Sequence, residues 1–138
     1  IKDARQTFVG VWIRCLLENK PFEVWGGEQM RDFTYVDDAV SAFLLAGASA
    51  KADGHVFNVG GPPPISLKVL ADQMTALVPG GSYQVRDYPE ARLAIDIGDY
   101  FADDRALRGT LGWRPRTTLP TALRRTVTYY QKQGKHYL

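Results

Sequence analysis

The sequence is poor in the residues that build disulfides and metal sites. Cys15 is the only cysteine, so no internal disulfide can form. Only His55 and His136 stand beside it, and these three residues do not make the usual nitrogen and sulfur ligand pattern. No apolar run approaches the roughly 18 residues that a membrane-spanning helix needs. These shortages predict a protein without disulfides, bound metal or membrane spans.

The charge of the chain is nearly balanced. Its 17 lysines and arginines exceed its 15 acidic side chains by too little to predict nucleic acid as a partner, although a modest attraction for phosphates remains. With 45% apolar and 23% charged residues over 138 positions, the composition is that of one soluble globular domain. The chain starts at Ile1 and shows no charged-then-apolar leader, so we expect a cytoplasmic protein and a segment of a longer chain.

Periodic apolar residues and turn signals predict an alternation of helices and short strands. Helices are predicted over residues 6–19, from Asp37 or Asp38, from Ser66, from Asp103 or Asp104 to Gly112, and from Thr118 to about Lys132. Strands are predicted over residues 22–26, 33–36, 55–60 and 83–88. In the second helix Ala39, Val40, Phe43 and Leu44 are expected to form one buried face. This order predicts an α/β fold with a small, partly parallel sheet.

The sequence contains no motif of a catalytic or dinucleotide-binding site. Its glycines do not occur at the G-x-G-x-x-G or G-x-x-G-x-x-G spacing that holds a pyrophosphate after a strand. No tyrosine is followed four positions later by a lysine, the spacing that places both side chains on one helix face. Nothing matches a nucleophile elbow or a paired acid and base. No residue of this chain is therefore predicted to be catalytic.

Four motifs occur in an order that covers nearly the whole chain. RDFTYVDD at 31–38 resembles the R-D-[FYW]-x-[YH]-V-x-D signature of the extended short-chain dehydrogenases, the nucleotide-sugar epimerase/dehydratase family. KPFEVWGG at 20–27 resembles the strand before that signature. HVFNVGG at 55–61, followed by ISLKVLADQ at 65–73, is similar to the family's F-N-[VL]-G-x-G-x-x-x-S-[VL] segment, and LGWRPRTTLPTAL at 111–123 is similar to its closing motif. IKDARQTF and RLAIDIGDYFADD resemble the branch of UDP-sugar epimerases and decarboxylase-like members.

This resemblance implies a division of labour in a longer protein. Family members carry an N-terminal Rossmann domain that binds NAD(P) and supplies the catalytic residues. Residues 1–138 then correspond to the C-terminal domain, which holds a nucleotide-diphosphate sugar, here a UDP-sugar, and binds no cofactor itself. The isolated chain is expected to be inactive and to self-associate through the apolar seam left by the missing half. Two alternatives are a stand-alone nucleotide-binding module and a structural relative that acts through protein contacts.

Arg31 is the predicted ligand of the diphosphate. A guanidinium offers paired, planar donors that match the oxygens of a diphosphate. Because Arg31 precedes the predicted strand at 33–36 and follows a flexible turn, the sheet can fix it while its end reaches a cleft. Without the motif the same residue would be an ordinary surface arginine paired with Asp32. The resemblance favours the phosphate role.

Three further candidates for substrate binding lie late in the chain. Arg92 is implied to be a second phosphate-binding arginine, although RLAID departs by about one residue from the family's R-x-G-D-like segment and lacks its glycine. Asp96 corresponds to a carboxylate on the ribose hydroxyls, or is a turn residue at a strand end. Tyr100 falls where some relatives present a phenol to the sugar, or belongs to the core.

The remaining candidates lie early in the chain. Gln6 and Thr7 match positions that contact the diphosphate at the start of the first helix, where unpaired N–H groups and the helix dipole favour phosphate whatever the side chain. Glu23 and Trp25 lie on the strand whose main-chain groups hydrogen-bond the uracil or thymine edge in relatives. Trp25 is alternatively a core residue.

Several other residues are expected to be structural. Asp37 and Asp38 are predicted to cap the second helix and to interact with its dipole, with a further role in orienting Arg31 or a loop amide left open. Asn58 is predicted to hold the turn at 57–61. The apolar stripes, Trp12 and Trp113 are expected to form the core.

Overall fold

The computed structural model describes residues 7–90 and 97–137, except for the side chain of Lys135. Within these ranges the helices are α1 (Phe8–Leu17), α2 (Val36–Gly47), α3 (Leu67–Thr75), α4 (Arg105–Leu111) and α5 (Leu119–Gln133). The strands are β1 (Phe22–Trp25), β2 (Met30–Arg31), β3 (Ile65–Ser66) and β4 (Tyr83–Arg86). Short 3₁₀ turns at Ala50–Ala52 and Gly134–His136 follow α2 and α5. The predicted alternation of helices and short strands is confirmed.

The strands form two separate pairs. β1 lies parallel to β4, in a register that places Phe22 opposite Tyr83 and Trp25 opposite Arg86. β2 lies antiparallel to β3, with Arg31 opposite Ile65. The predicted small, partly parallel sheet is therefore present in the described residues as one parallel and one antiparallel pair.

The main core lies between α1, β1, α3 and α5. Each helix presents apolar residues at three- and four-residue spacing, so one face of each is removed from water. The buried residues of this core include Trp12, Ile13, Leu16, Phe22, Val24, Leu70, Met74, Leu123, Val127 and Tyr130. A second, smaller cluster joins α2 to α4 through Ala42, Leu107 and Trp113. Trp12 and Trp113 are thus core residues, as predicted.

Local capping signals place several helix starts correctly. The hydroxyl of Ser66 accepts a hydrogen bond from the Val69 backbone N–H at 3.2 Å and starts α3. Asp104 is the residue before α4, and Gly112 ends that helix with a positive φ of 68°. Thr118 precedes α5, whose first turn contains Pro120. Because these signals act within a few residues, they are visible without knowledge of the fold.

Two predicted strands are wrong. Residues 33–36 form no strand, since the paired strand lies earlier, at Met30–Arg31, and α2 already begins at Val36. Arg31 therefore lies in a strand and not before one. Residues 55–60 also form no strand, although Phe57 and Val59 pack against the second cluster as alternate residues of a strand would. Within the described residues, no backbone hydrogen bond joins 56–60 to another segment.

Two expectations for α2 are also wrong. The residue before the helix is Tyr35, while Asp37 and Asp38 lie inside its first turn. The face expected to be buried is exposed: Phe43 is 73% and Leu44 69% accessible, and Val40 is exposed as well. The opposite face, with Asp38 and Ala42, packs against the rest of the chain.

Among the described residues, no helix has the length and apolarity needed to cross a membrane.

Candidate functional site

Arg31 is held in place by main-chain carbonyl groups. It pairs with Ile65 across β2 and β3, so the sheet fixes its backbone. Its Nη1 atom donates a hydrogen bond to the carbonyl of Met30 at 2.8 Å and another to the carbonyl of Gly98. Both contacts involve the same corner of the guanidinium, and together they fix the direction of a half-buried cation. The sequence predicts an arginine that the sheet fixes. Arg31 is fixed by its own place in β2 and not by a strand at 33–36.

The segment 98–100 is attached to β2 by its backbone. The Tyr100 N–H donates to the carbonyl of Met30 at 3.0 Å and forms an isolated parallel bridge with Arg31. The Asp99 carboxylate accepts the Met30 N–H at 2.8 Å. Tyr100 itself is 63% exposed, which excludes the core role and leaves its phenol accessible beside Arg31.

Asp32, the residue after Arg31, connects two loops. Its Oδ2 atom accepts the backbone N–H of Gly61 at 3.1 Å and that of Ala102 at 3.3 Å. The carboxylate that was the alternative partner for Arg31 thus holds two loops together. Sequence reasoning did not predict this structural role of Asp32. The only signal for it in the sequence is the position of Asp32 directly after Arg31 in the RDFTYVDD motif.

Glu23 and Trp25 lie on the same side of β1 and contact each other. The Trp25 Nε1–H donates to the Glu23 carboxylate at 3.3 Å, and Arg86 on β4 forms an ion pair with that carboxylate at 3.2 Å. The Trp25 ring meets the edge of Tyr88 at a centroid distance of 6.3 Å. Glu23 is exposed and Trp25 half-buried, so Trp25 is not a core residue. Both side chains are accessible at the edge of the parallel pair.

The start of α1 is linked to β1 through aromatic residues. The Thr7 hydroxyl accepts the Gly10 N–H at 3.3 Å and caps the helix. Phe8 contacts the ring of Trp12 at a centroid distance of 5.1 Å and that of Phe33, two residues after Arg31, at 6.4 Å. The Trp12 Nε1–H donates to the carbonyl of Glu23 at 3.1 Å. These contacts bring Thr7, β1 and the segment after β2 into one neighbourhood.

An open groove of about 400 Å³ runs between α1 and β1 in this neighbourhood. Its lining consists of Phe8, Val11, Trp12, Cys15, Pro21, Phe22, Glu23 and Trp25. Mostly apolar walls with a few polar groups are typical of small-molecule sites. Another open cavity, of about 710 Å³, has Asp32, Arg108, Arg114 and Arg116 in its lining. None of the residues predicted to bind substrate lines this second cavity.

The structure thus places Thr7, Glu23, Trp25, Arg31 and Tyr100 around α1, β1 and β2. Gln6, Arg92 and Asp96 lie outside the described residues. The described residues contain no group of three or more His, Cys, Asp or Glu side chains that could hold a metal ion.

Acidic residues after the RD pair also hold loops. Asp38 is 4% exposed, and its two oxygens accept the N–H groups of Arg116 at 3.0 Å and Thr117 at 2.9 Å. Of the roles left open for Asp38, the structure shows the one of binding loop amides.

The Asn58 side chain donates to the carbonyl of Asp103 at 3.5 Å, so it contacts a distant loop and does not close its own turn. The neighbouring Arg105 guanidinium lowers the pKa of Asp103 to about 2.

Known proteins are similar to this chain in both sequence and fold. Residues 2–60 match the model of the NAD dependent epimerase/dehydratase family. UDP-D-apiose/UDP-D-xylose synthase 1 of Arabidopsis thaliana is 32% identical over 85% of this chain and 33% of its own length. UDP-glucose 4-epimerase of Mycolicibacterium smegmatis is 29% identical over 92% of this chain and 40% of its own. The crystal structure of UDP-glucose 4-epimerase from Thermotoga maritima with UDP-glucose has a TM-score of 0.80 and 26% identity, over 96% of this chain and 42% of that one.

The fold is therefore that of part of an extended short-chain dehydrogenase. The chain belongs to the NAD-dependent epimerase/dehydratase family. It spans between a third and about two-fifths of the length of these curated relatives.

Proposed function

We propose that residues 1–138 are the C-terminal, substrate-binding domain of an NAD-dependent nucleotide-sugar epimerase/dehydratase, and that Arg31 binds the diphosphate of its substrate. The observation that carries this proposal is the fixed guanidinium of Arg31, held by the carbonyls of Met30 and Gly98. An oriented arginine loses little conformational entropy when it binds an anion, and its donors match phosphate oxygens. Charge and geometry therefore agree with the family motif.

The proposed substrate class is a UDP-sugar. The relatives include UDP-glucose 4-epimerase and UDP-D-apiose/UDP-D-xylose synthase as well as dTDP-glucose 4,6-dehydratases, so a pyrimidine is the expected nucleobase, and we propose uracil. The groove between α1 and β1 lies beside Glu23 and Trp25, where an aromatic wall and strand main-chain groups suit a flat, polar base. The exposed phenol of Tyr100, which adjoins Arg31, is proposed to contact the sugar side of the ligand.

We assign NAD and the catalytic groups to the N-terminal Rossmann domain of the parent chain. A dinucleotide pyrophosphate needs a glycine-rich turn that opens a helix after a strand. In the described residues, Gly26 and Gly27 lead into β2, and Gly60 and Gly61 lead into three prolines, so neither pair fits that requirement. In this proposal the present domain binds and orients the sugar nucleotide, while oxidation of a sugar hydroxyl and the ensuing epimerisation, dehydration or decarboxylation occur in the other half.

Calorimetric titration of the chain with UDP, uridine and NAD tests this assignment. We expect UDP to bind more tightly than uridine, because only UDP carries the diphosphate that Arg31 contacts. NAD should give no measurable heat, and no nucleotide sugar should be turned over. Tight binding of NAD, or equal affinities for uridine and UDP, would contradict the proposal.

A further inference from the structure

The last quarter of the chain carries positive charge without any acidic residue. Residues 105–138 contain eight lysines and arginines and no aspartate or glutamate, whereas residues 1–104 contain nine basic and fifteen acidic residues. Three of these late arginines form ion pairs with acids from the earlier segment, namely Arg105 with Asp103, Arg108 with Asp104 and Arg125 with Asp37. In the part of the chain that the structure describes, the side chains of Arg114 and Arg116 form no ion pair.

The loop that carries these two arginines is fixed on both sides. Trp113, directly before it, is buried, and its Nε1–H donates to the Ser41 hydroxyl at 2.9 Å. The backbone N–H of Arg116 donates to the buried Asp38 carboxylate at 3.0 Å. Pro115, between the two arginines, has a restricted φ. The backbone therefore presents both side chains from an ordered segment, so little further ordering of the loop is needed when an anion binds.

Arg114 and Arg116 both line the open cavity of about 710 Å³. This volume lies within the range of small-molecule sites, about 300–1,000 Å³. Much of the remaining wall is apolar and rigid, and it includes Pro62, Pro63, Pro64, Phe101 and Leu119. Apolar walls with a few convergent charged groups are typical of sites for small organic molecules.

The other charged groups of the cavity lining are already engaged by the protein. The Asp104 carboxylate pairs with Arg108 at 2.6 Å. The Asp32 carboxylate accepts two backbone N–H groups, those of Gly61 and Ala102. An anion that enters the cavity therefore meets two guanidinium groups that no carboxylate of the described residues neutralises. Guanidinium groups offer planar, paired donors that match the oxygens of a phosphate.

We propose that this cavity binds a small organic phosphate through Arg114 and Arg116, as a second anion site apart from Arg31. The two guanidinium groups take the phosphate, and the apolar part of the ligand lies against the proline-rich wall. Arg31 does not line the cavity. The inference goes beyond the proposed function and does not rest on it, because neither Arg114 nor Arg116 has a role in the proposed binding of UDP.

Titration of the isotope-labelled chain with phenyl phosphate, followed by NMR, tests the proposal. The amide signals of residues 61–65 and 114–118 should shift together. Inorganic phosphate should bind about 10-fold or more weakly, because it has no apolar part to bury. Equal affinities for the two probes would indicate an adventitious ion only and would overturn the proposal. Shifts confined to residues 30–31 and 98–100 would place the probe at Arg31 and would also overturn it.

A double variant and a charge-matched control test the two arginines. Arg114→Gln combined with Arg116→Gln should weaken phenyl phosphate binding by about 10-fold or more, because charged hydrogen bonds to the phosphate are lost. Arg124→Gln combined with Lys132→Gln removes the same charge from exposed positions of α5 outside the cavity, and should weaken binding by less than about 2-fold. Both variants should keep the fold, because Asp38 binds the loop through backbone groups. Equal losses in the two variants would indicate a general attraction for anions and would overturn the proposal.

Discussion

Replacement of Asp38 by alanine should destabilise the fold strongly. The Asp38 carboxylate is buried and accepts the N–H groups of Arg116 and Thr117, which hold the loop between α4 and α5 against α2. A hydrogen bond to a charged group contributes about 1.5–3 kcal/mol, and the two here share one carboxylate and are not fully additive. We therefore expect Asp38→Ala to lower the free energy of unfolding by about 3–5 kcal/mol. Asp38→Asn, which keeps one acceptor oxygen, should fall between the two proteins.

Asp37→Ala is the matched control for this experiment. Asp37 lies in the same first turn, so both substitutions remove the same favourable interaction with the helix dipole. Its ion pair with Arg125, at 3.7 Å, is exposed and should contribute no more than about 1 kcal/mol. Urea unfolding followed by tryptophan fluorescence, to which the buried Trp12 and Trp113 contribute, measures both variants. If the two free energies of unfolding agree within about 0.5 kcal/mol, Asp38 does not hold the loop as described.

Gly61→Ala should lower the melting temperature, because the added Cβ would overlap the backbone of Phe33. Gly109→Ala, in an open part of α4, should instead raise the free energy of unfolding by about 0.5–1 kcal/mol. Thermal unfolding compares the two variants, and equal shifts of the melting temperature would contradict this reasoning. The Tyr137 hydroxyl raises the pKa of Tyr129, so the stability contributed by their hydrogen bond should be present below the ordinary tyrosine pKa and lost as pH rises through the raised one. The pKa values of Tyr83 and Tyr130 are raised as well, so Tyr129→Phe should remove one phenol from the late phase of an ultraviolet titration. A late phase of unchanged amplitude in Tyr129→Phe would refute the linkage.

The elements fixed by local signals were predictable from the sequence. The apolar spacing before Pro21 predicts α1, and Ser66 predicts the start of α3, because a cap and a periodic face act within a few residues. The two strands Phe22–Trp25 and Tyr83–Arg86 were predicted from short runs rich in aromatic and β-branched residues, but their pairing with each other was not. The fixed position of Arg31 was predictable only through the motif that contains it.

The features that depend on distant residues were not predictable. Whether 55–60 forms a strand depends on a neighbouring strand, which the described residues do not supply. The buried face of α2 was assigned to Phe43 and Leu44 because they are apolar, yet Asp38 faces inward since its carboxylate pairs with loop amides 78 and 79 positions away. Long-range pairings of this kind leave no periodic signal in the sequence.

The contribution of Arg31 to UDP binding tests the central claim most directly. In the parent enzyme, Arg31→Ala should weaken the affinity for UDP by about 10- to 150-fold, since charged hydrogen bonds contribute about 1.5–3 kcal/mol. Arg31→Lys should recover only part of this loss, because a point charge cannot reproduce the paired geometry. Added salt should narrow the difference by screening the exposed part of the attraction.

Uridine provides the internal control for this measurement, because it contains the base and the ribose without the phosphates. Calorimetry with uridine and UDP on the parent enzyme and on Arg31→Ala should show a loss for UDP and equal, weak binding of uridine by both proteins. If the affinity for uridine falls as far as that for UDP, Arg31 maintains the fold through its contacts with Met30 and Gly98 and does not bind the diphosphate.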